Sequence, residues 1–460
     1  MSEPGFRYRA PGGAVRIFLL LAGAAAVLVS CAIPDPEALT SEILSNPDSP
    51  LVHVRVQVKI GSANDPSGKE GLCRMTMSLL AHGGARTSPA AEIASRLSGM
   101  SAEITVSVDE EASSFSAAVP KDGLEAFYAV FKDMLLDPGF RDEDLERLKT
   151  DALARLEDPP SGEDAADLSR AILDRMIYED GPYGRPGAGT AASVAGFSTV
   201  DARVFYGQHF VRGNIAVGVA GPVPAGFPAR VLSDFKALPT GFTPPLRLPA
   251  PRRLRRPEVW IAGRPGAEPA VSIGLPLDPD MSAWEAAALR IAGLHLGRDG
   301  GASGVSDRSR RQKIFFLPVS AGNGETLPAA AGAAIEGLRT LVREGIPSDR
   351  FERLRASLIE EAPPGPVDGL AERLRARMEA LPGRKEDDPF EARTMIFDLT
   401  RNDVDRAVRK YLDPDNIRAA ILAPDIESLR TGWPPGEIRF VPAADVFRTA
   451  PPAPAQETKK

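Results

Sequence analysis

A chain that repeats itself at a spacing of about 200 residues has to fold as two copies of one unit. STVDARVFYGQHFVRGNIAVGVA (198–220) and TRNDVDRAVRKYLDPDNIRAAILA (400–423) align without a gap at an offset of 202. Ser198 falls on Thr400, Asp201 on Asp403, Asn214 on Asn416, Ile215 on Ile417 and Val219 on Ile421. Upstream, GFRDEDLERLK (139–149) matches GIPSDRFERLR (345–355) at an offset of 206, so one loop differs by four residues. The period far exceeds the roughly 20–50 residues of a solenoid repeat and marks a duplicated domain.

Each copy reads as a Ser- or Thr-capped helix, a break at a loop containing Asn, and an apolar strand. In the first copy, Val52, Val54, Val56, Val58 and Ile60 alternate with polar residues, the period of a half-buried strand. A helix is expected from about Gly71, and a second opens at Ser88-Pro89 with a cap and a first-turn proline. Strands at 102–108 and 113–119 follow, then a long helix carrying Leu124, Phe127, Val130, Phe131 and Met134. Strands joined by short connections and mixed with helices define an α+β class: two duplicated domains, each a β-sheet covered by helices. The expected divisions are 51–237 and 258–430, joined by a Pro/Arg-rich, extended and solvated connector at 238–257, with a flexible tether at 31–50 and a Pro-rich tail at 431–460.

Residues 1–30 form a leader: Arg7, Arg9 and Arg16 precede the uncharged run 17–29, too short to span a bilayer. It ends in Leu28-Val29-Ser30-Cys31, which resembles the lipobox of bacterial lipoproteins and implies cleavage before a lipidated Cys31. Ala32 stands after the cysteine where Asp would signal inner-membrane retention, so the expected location is the periplasmic side of the outer membrane. Cleavage that leaves Cys31 incidental is the alternative. With Cys31 lipidated, Cys73 has no disulfide partner and is read as a small buried hydrophobe. The net charge of −7, about −9 once the leader is removed, excludes a nucleic-acid binder by field.

The order of elements, with VKIGSANDPSGKEGLCRM near the start, MIYEDGPYGRPGAGT (176–190), the paired helix–Asn–strand repeats and AVSIGLPLDPD at the start of the second unit, resembles the insulinase-type (pitrilysin-like) metallopeptidase family, which includes mitochondrial processing peptidase. The resemblance runs from about Val52 to about Arg430. It implies a zinc helix carrying His-x-x-Glu-His plus a later glutamate. Anchored on Gly71-Leu72, those places fall on Arg74, Met77 and Ser78, with Leu153 or Ala154 at the later glutamate. A guanidinium is always charged and at about 4 Å would repel a dication by roughly 8 kcal/mol at an effective dielectric of 20. The only histidines, His53, His82, His209 and His295, are far apart in sequence. Neither a metal nor any other cofactor is expected.

Arg74, Ser78 and His82 recur every four residues as a polar stripe beside an apolar one of Leu72, Met75 and Leu79. The stripe reads as a solvated face ending at Gly83-Gly84, or, by the resemblance, as a wall of an internal chamber. Bacterial relatives often pair a zinc-bearing chain with a zinc-less one that supplies an arginine and a tyrosine to hold substrate. The comparable arginine is Arg310 or Arg311, which as readily form a surface cluster, and Leu317 or Pro318 stands where the tyrosine would be. GRDGGASG (297–304) lacks the Gly-Lys-Ser/Thr of a phosphate loop, and no Gly-x-Ser-x-Gly elbow occurs.

The resemblance therefore implies a non-catalytic, lipid-anchored homologue, the structural or substrate-holding subunit beside a zinc-motif peptidase of the same family, with peptide or unfolded protein as substrate. A stand-alone periplasmic peptide-binding or assembly lipoprotein is the alternative, and a zinc metallopeptidase the remote one.

Overall fold

The computed structural model describes residues 38–157, 162–179, 181–246, 250–297, 303–305, 313–321, 325–361, 369–379, 389–429 and 437–442. The alternating valines at 52–58 are buried as one face of a strand. Around them the first half runs β1 (Thr40–Ser45), β2 (Leu51–Val58), α1 (Leu72–His82), α2 (Ala90–Gly99), β3 (Ile104–Val108), β4 (Ser113–Pro120), α3 (Leu124–Leu136), α4 (Asp142–Glu157), α5 (Gly162–Tyr178), α6 (Ala191–Ala195), α7 (Thr199–His209), β5 (Ile215–Gly221) and α8 (Phe227–Phe235). The second half runs β6 (Glu258–Gly263), β7 (Ala270–Leu277), α9 (Ala283–Leu296), β8 (Gly304–Val305), β9 (Lys313–Val319), α10 (Leu327–Glu344), α11 (Ser348–Glu361), α12 (Leu370–Glu379), α13 (Pro389–Asp398), α14 (Arg401–Tyr411), β10 (Arg418–Ala423) and β11 (Glu437–Pro442).

The sheets are ordered β1-β5-β2-β4-β3 and β11-β6-β10-β7-β9-β8, so five strands correspond one to one. The duplication is visible down to single bonds. Helices α7 and α14 both open on capping boxes, Ser198 with Asp201 and Thr400 with Asp403. Each half has its own apolar core on one side of its sheet, around Phe115, Phe127 and Phe131 in the first and Phe315, Leu289 and Ile335 in the second.

The other side of each sheet is covered by a helix from the opposite half. Helix α5 packs on β7 and β10, and α12 packs on β5, β1 and β2. Ile172, Leu173, Met176 and Ile177 bury against Ala262, Ile314, Ala420 and Leu422, and Ser169 Oγ meets Ser272 Oγ at 2.7 Å. Arg170 pairs with Asp174 at 3.0 Å and lies over the Phe316 ring. In the mirror contact, Leu370 and Leu374 pack on Ala220, while Arg377 pairs with Glu42 and Glu379 with Arg55. Gly274 and Gly218 let these helices approach, since a Cβ at 274 would meet Leu173 and one at 218 Met378 and Leu374. The expected boundary near 237 separates the sheets but not their helices. Leu173→Ala should cost about 3 kcal/mol in chemical denaturation, with both halves losing stability together.

Four expectations change. The segment 31–50 contains β1, a parallel strand beside β5, and the tail contains β11, parallel to β6. Parallel strands at a sheet margin are short and receive partners from far along the chain, so local pattern does not announce them. The connector is extended but held at both ends by the repeated asparagines. Asn214 Oδ1 accepts the Thr243 amide and Asn416 Oδ1 the Leu254 amide, both at 2.8 Å. Near its end, fully buried Arg418 donates to Asn416 and to the Arg252 carbonyl. Burial pushes this guanidinium down to about 10, with the positive charge of Arg252 adding to the effect. Helix α2 begins at Ala90 with Pro89 at its N-cap, one residue later than the sequence suggests.

Candidate functional site

Helix α1 starts at Gly71, whose φ of 90° is left-handed and which offers no side chain to cap the first turn. Asp65 does so from six residues upstream: its carboxylate accepts the amides of Gly71 at 2.7 Å and Cys73 at 2.6 Å. Sequence reading missed Asp65, whose only signal is an acid shortly before a glycine-led helix. Burial pushes the Asp65 carboxyl up to about 7, with Glu70 adding to the push while the two amides and Arg185 oppose it. Between about pH 4 and 7 the folded carboxyl keeps a proton that the unfolded chain has lost, so its contribution to stability falls as pH rises through that window. The stability difference between the native chain and Asp65→Ala should therefore shrink over the same range, which urea titrations at a series of pH values will measure.

The two segments VKIGSANDPSGKEGLCRM and MIYEDGPYGRPGAGT meet at this helix. Gly71 lies against Ala188 and Gly189, while Gly189 lies against the Glu70 carbonyl, so backbone touches backbone. Ser193 Oγ donates to the Glu70 carbonyl at 2.8 Å. Tyr183 donates to the Glu111 carboxylate in the β3–β4 turn. One side of α1 thus faces the 181–193 segment and the end of edge strand β3, and other sides face α4 and α7.

Arg74, Met77 and Ser78 share the helix face that their spacing dictates, with different surroundings. Arg74 is exposed and its guanidinium donates to Val108 O at 3.2 Å and Gly187 O at 3.4 Å, tying the last residue of β3 to the 181–190 loop. Met77 is fully buried in the first core and Ser78 is half-buried. On α4, Leu153 packs against the core and Ala154 is exposed. His82 closes the polar stripe, its imidazole pushed down by burial and by Arg147, which donates to the His82 carbonyl. His53, His209 and His295 sit on β2, α7 and α9, all pushed down by burial. Among the described residues no three His, Cys, Asp or Glu side chains converge as a metal set.

Cys73 is fully buried; its Sγ lies 3.4 Å from Ser113 Oγ, which donates to Ile60 O. Burial and the neighbouring Asp65 push the thiol up, the surroundings of a structural cysteine and not of an activated one. Arg310, Arg311 and Cys31 lie outside the described residues. Leu317 and Pro318 lie on β9, with Leu317 buried. No helix among the described residues is long and apolar enough to cross a membrane.

Two helix-covered mixed sheets, duplicated head to tail with the first long helix set against an edge strand, define the peptidase-like class of M16 folds. Residues 42–190 match Insulinase (Peptidase family M16), and the chain carries a domain of that family. The fold is similar to the inactive domain of an M16 peptidase from Pseudomonas fluorescens, with a TM-score of 0.71 at 18% identity over 87% of this chain and 98% of that one. It is also similar to the first half of the periplasmic protease PqqL from Escherichia coli, with a TM-score of 0.64 at 13% identity over 87% and 92%. An uncharacterized zinc protease of Rickettsia bellii is 22% identical over 175 residues, which are 37% of this chain and 41% of that protein.

Proposed function

We propose that this chain is a non-catalytic M16 homologue, exported and anchored by a lipid on Cys31, that serves as the structural or substrate-holding subunit beside a zinc-bearing relative. The observation that supports it is the chemistry of α1. A fixed cation, Arg74, stands where a first metal ligand is needed, and a fully buried thioether, Met77, where the water-activating carboxylate is needed. Neither a thioether nor a guanidinium can take a proton from water, and Ser78 alone cannot hold zinc. The similarity to a structure described as an inactive M16 domain, and to one half of a two-half protease, agrees with this reading.

Elemental analysis of the purified full chain should find zinc far below one equivalent, and peptide cleavage should be absent and indifferent to chelator. Stoichiometric zinc with chelator-sensitive cleavage overturns the proposal. Co-expression with a zinc-motif M16 chain should give a complex that co-purifies from membranes. A chain that stays alone yet binds peptide directly is instead a stand-alone binding lipoprotein.

A further inference from the structure

Among the described residues the two sheets differ by one strand, and the duplication says where. Strand β1 corresponds to β6 at an offset of 218: Asn46 N donates to Gly221 O at 2.9 Å, and Arg264 N to Ala423 O at 3.0 Å. In the second half, β11 lies along the free side of β6, parallel, with Phe440 opposite Ile261. In the first half nothing among the described residues lies along the free side of β1. The consequence shows in one matched pair: Ile261 is 0% exposed and its counterpart Ile43 is 46% exposed. Ile438 and Phe440 of β11 pack against the second core, a cover that no strand among the described residues gives the first half.

The edge is built to be paired. The Asn46 bond and the two-residue alternation of a strand turn the amides and carbonyls of Glu42 and Leu44 toward β5 and those of Ser41, Ile43 and Ser45 outward. Glu42 and Leu44 are engaged with α12 through Arg377 and the Leu374 cluster, so the strand is held rigidly from that face. The edge presents no lysine, proline or bulge, the usual devices that keep a free edge from pairing. This edge is on the opposite side of the sheet from β3 and Arg74.

We propose that the outer edge of β1 is a docking site for an extended segment of a partner polypeptide, added parallel to residues 40–45 with a branched or aromatic side chain over Ile43. The occupant's chemistry follows from β11, which is what covers the same edge in the other copy. A second copy of this chain related by a twofold axis would lay β1 against β1 antiparallel, which does not reproduce that arrangement. The inference stands on the duplication and is independent of whether the chain is catalytic.

The test uses the full chain in detergent and a labelled peptide of residues 436–443, GEIRFVPA, as the probe strand. Hydrogen exchange should show the amides of 41, 43 and 45 open without peptide and slowed about tenfold or more with it. Ile43→Lys should weaken binding at least about tenfold, and so should F440K in the peptide, which leaves the protein untouched. Absence of protection at 40–46 up to about 1 mM peptide, protection of 104–108 instead, or affinity indifferent to both substitutions overturns the proposal. Protection before peptide is added also overturns it. Loss of that protection on deleting 443–460 assigns the edge to the chain's own tail, and loss of a dimer in Ile43→Lys assigns it to a second copy.

Discussion

Gly71→Ala should destabilise the protein by about 4 kcal/mol or abolish soluble expression, and Gly189→Ala should do the same. Both residues are left-handed, with φ of 90° and 83°, where an alanine costs roughly 1–2 kcal/mol on backbone grounds alone. The larger part is contact. A Cβ at 71 would lie 2.8 Å from Ala188 O and 2.9 Å from the Gly189 Cα, and one at 189 would lie 2.4 Å from Glu70 O. Those atoms are main chain and cannot swing aside, so the start of α1 and the 186–190 loop would have to part. Gly68 supplies the control, because its φ of 81° is equally left-handed but nothing lies within 4 Å of its Cβ position. Gly68→Ala should cost only about 1–2 kcal/mol. Equal melting temperatures for the Gly68 and Gly71 variants would refute the backbone contact as the cause.

Asp405→Arg should cost about 4 kcal/mol, although the equivalent residue of the first half is already an arginine. The two copies solve one docking problem with opposite charges. In the first, Arg203 on α7 donates to Phe140 O at 2.9 Å, using the carbonyl side of the loop before α4. In the second, Asp405 on α14 accepts the Ile346 amide at 2.9 Å, with Gly345 close against its carboxylate and Arg401 3.5 Å away. Asp405 is buried, so an arginine there would leave the Ile346 amide unsatisfied and set a second cation beside Arg401. Arg203 is exposed, and Arg203→Asp should cost only about 1 kcal/mol. Denaturant midpoints of the two reciprocal variants measure the asymmetry; equal losses would sink it.

What was legible in the sequence was what repeats locally. The alternating valines of β2, the two striped faces of α1 and the duplicated capped helices at 199–209 and 401–411 each write their structure into a few neighbouring residues. The Asn214 and Asn416 positions were visible as a repeat, but their work was not, because each reaches across the chain to an end of the connector. Strands β1 and β11 escaped notice for a related reason: each is six residues long, and their partners lie about 175 residues away in sequence. Helix α5 was not singled out in the sequence at all. Nothing in its apolar face says which of two sheets it covers, and it covers the distant one. At the candidate site, Arg74, Met77 and Ser78 lie on one helix, which the local pattern announces, while Asp65, which holds that helix's first amides, was not seen.

The reciprocal loan of α5 and α12 has a physical corollary. The second half folding alone would leave Ala420, Leu422 and Ile314 bare to water on the face that α5 now covers. Neither half is a finished unit without the other's helix. Carrying both halves on one chain makes that mutual cover an intramolecular contact, favoured by a high effective concentration, while the two copies keep different docking contacts at Arg203 and Asp405.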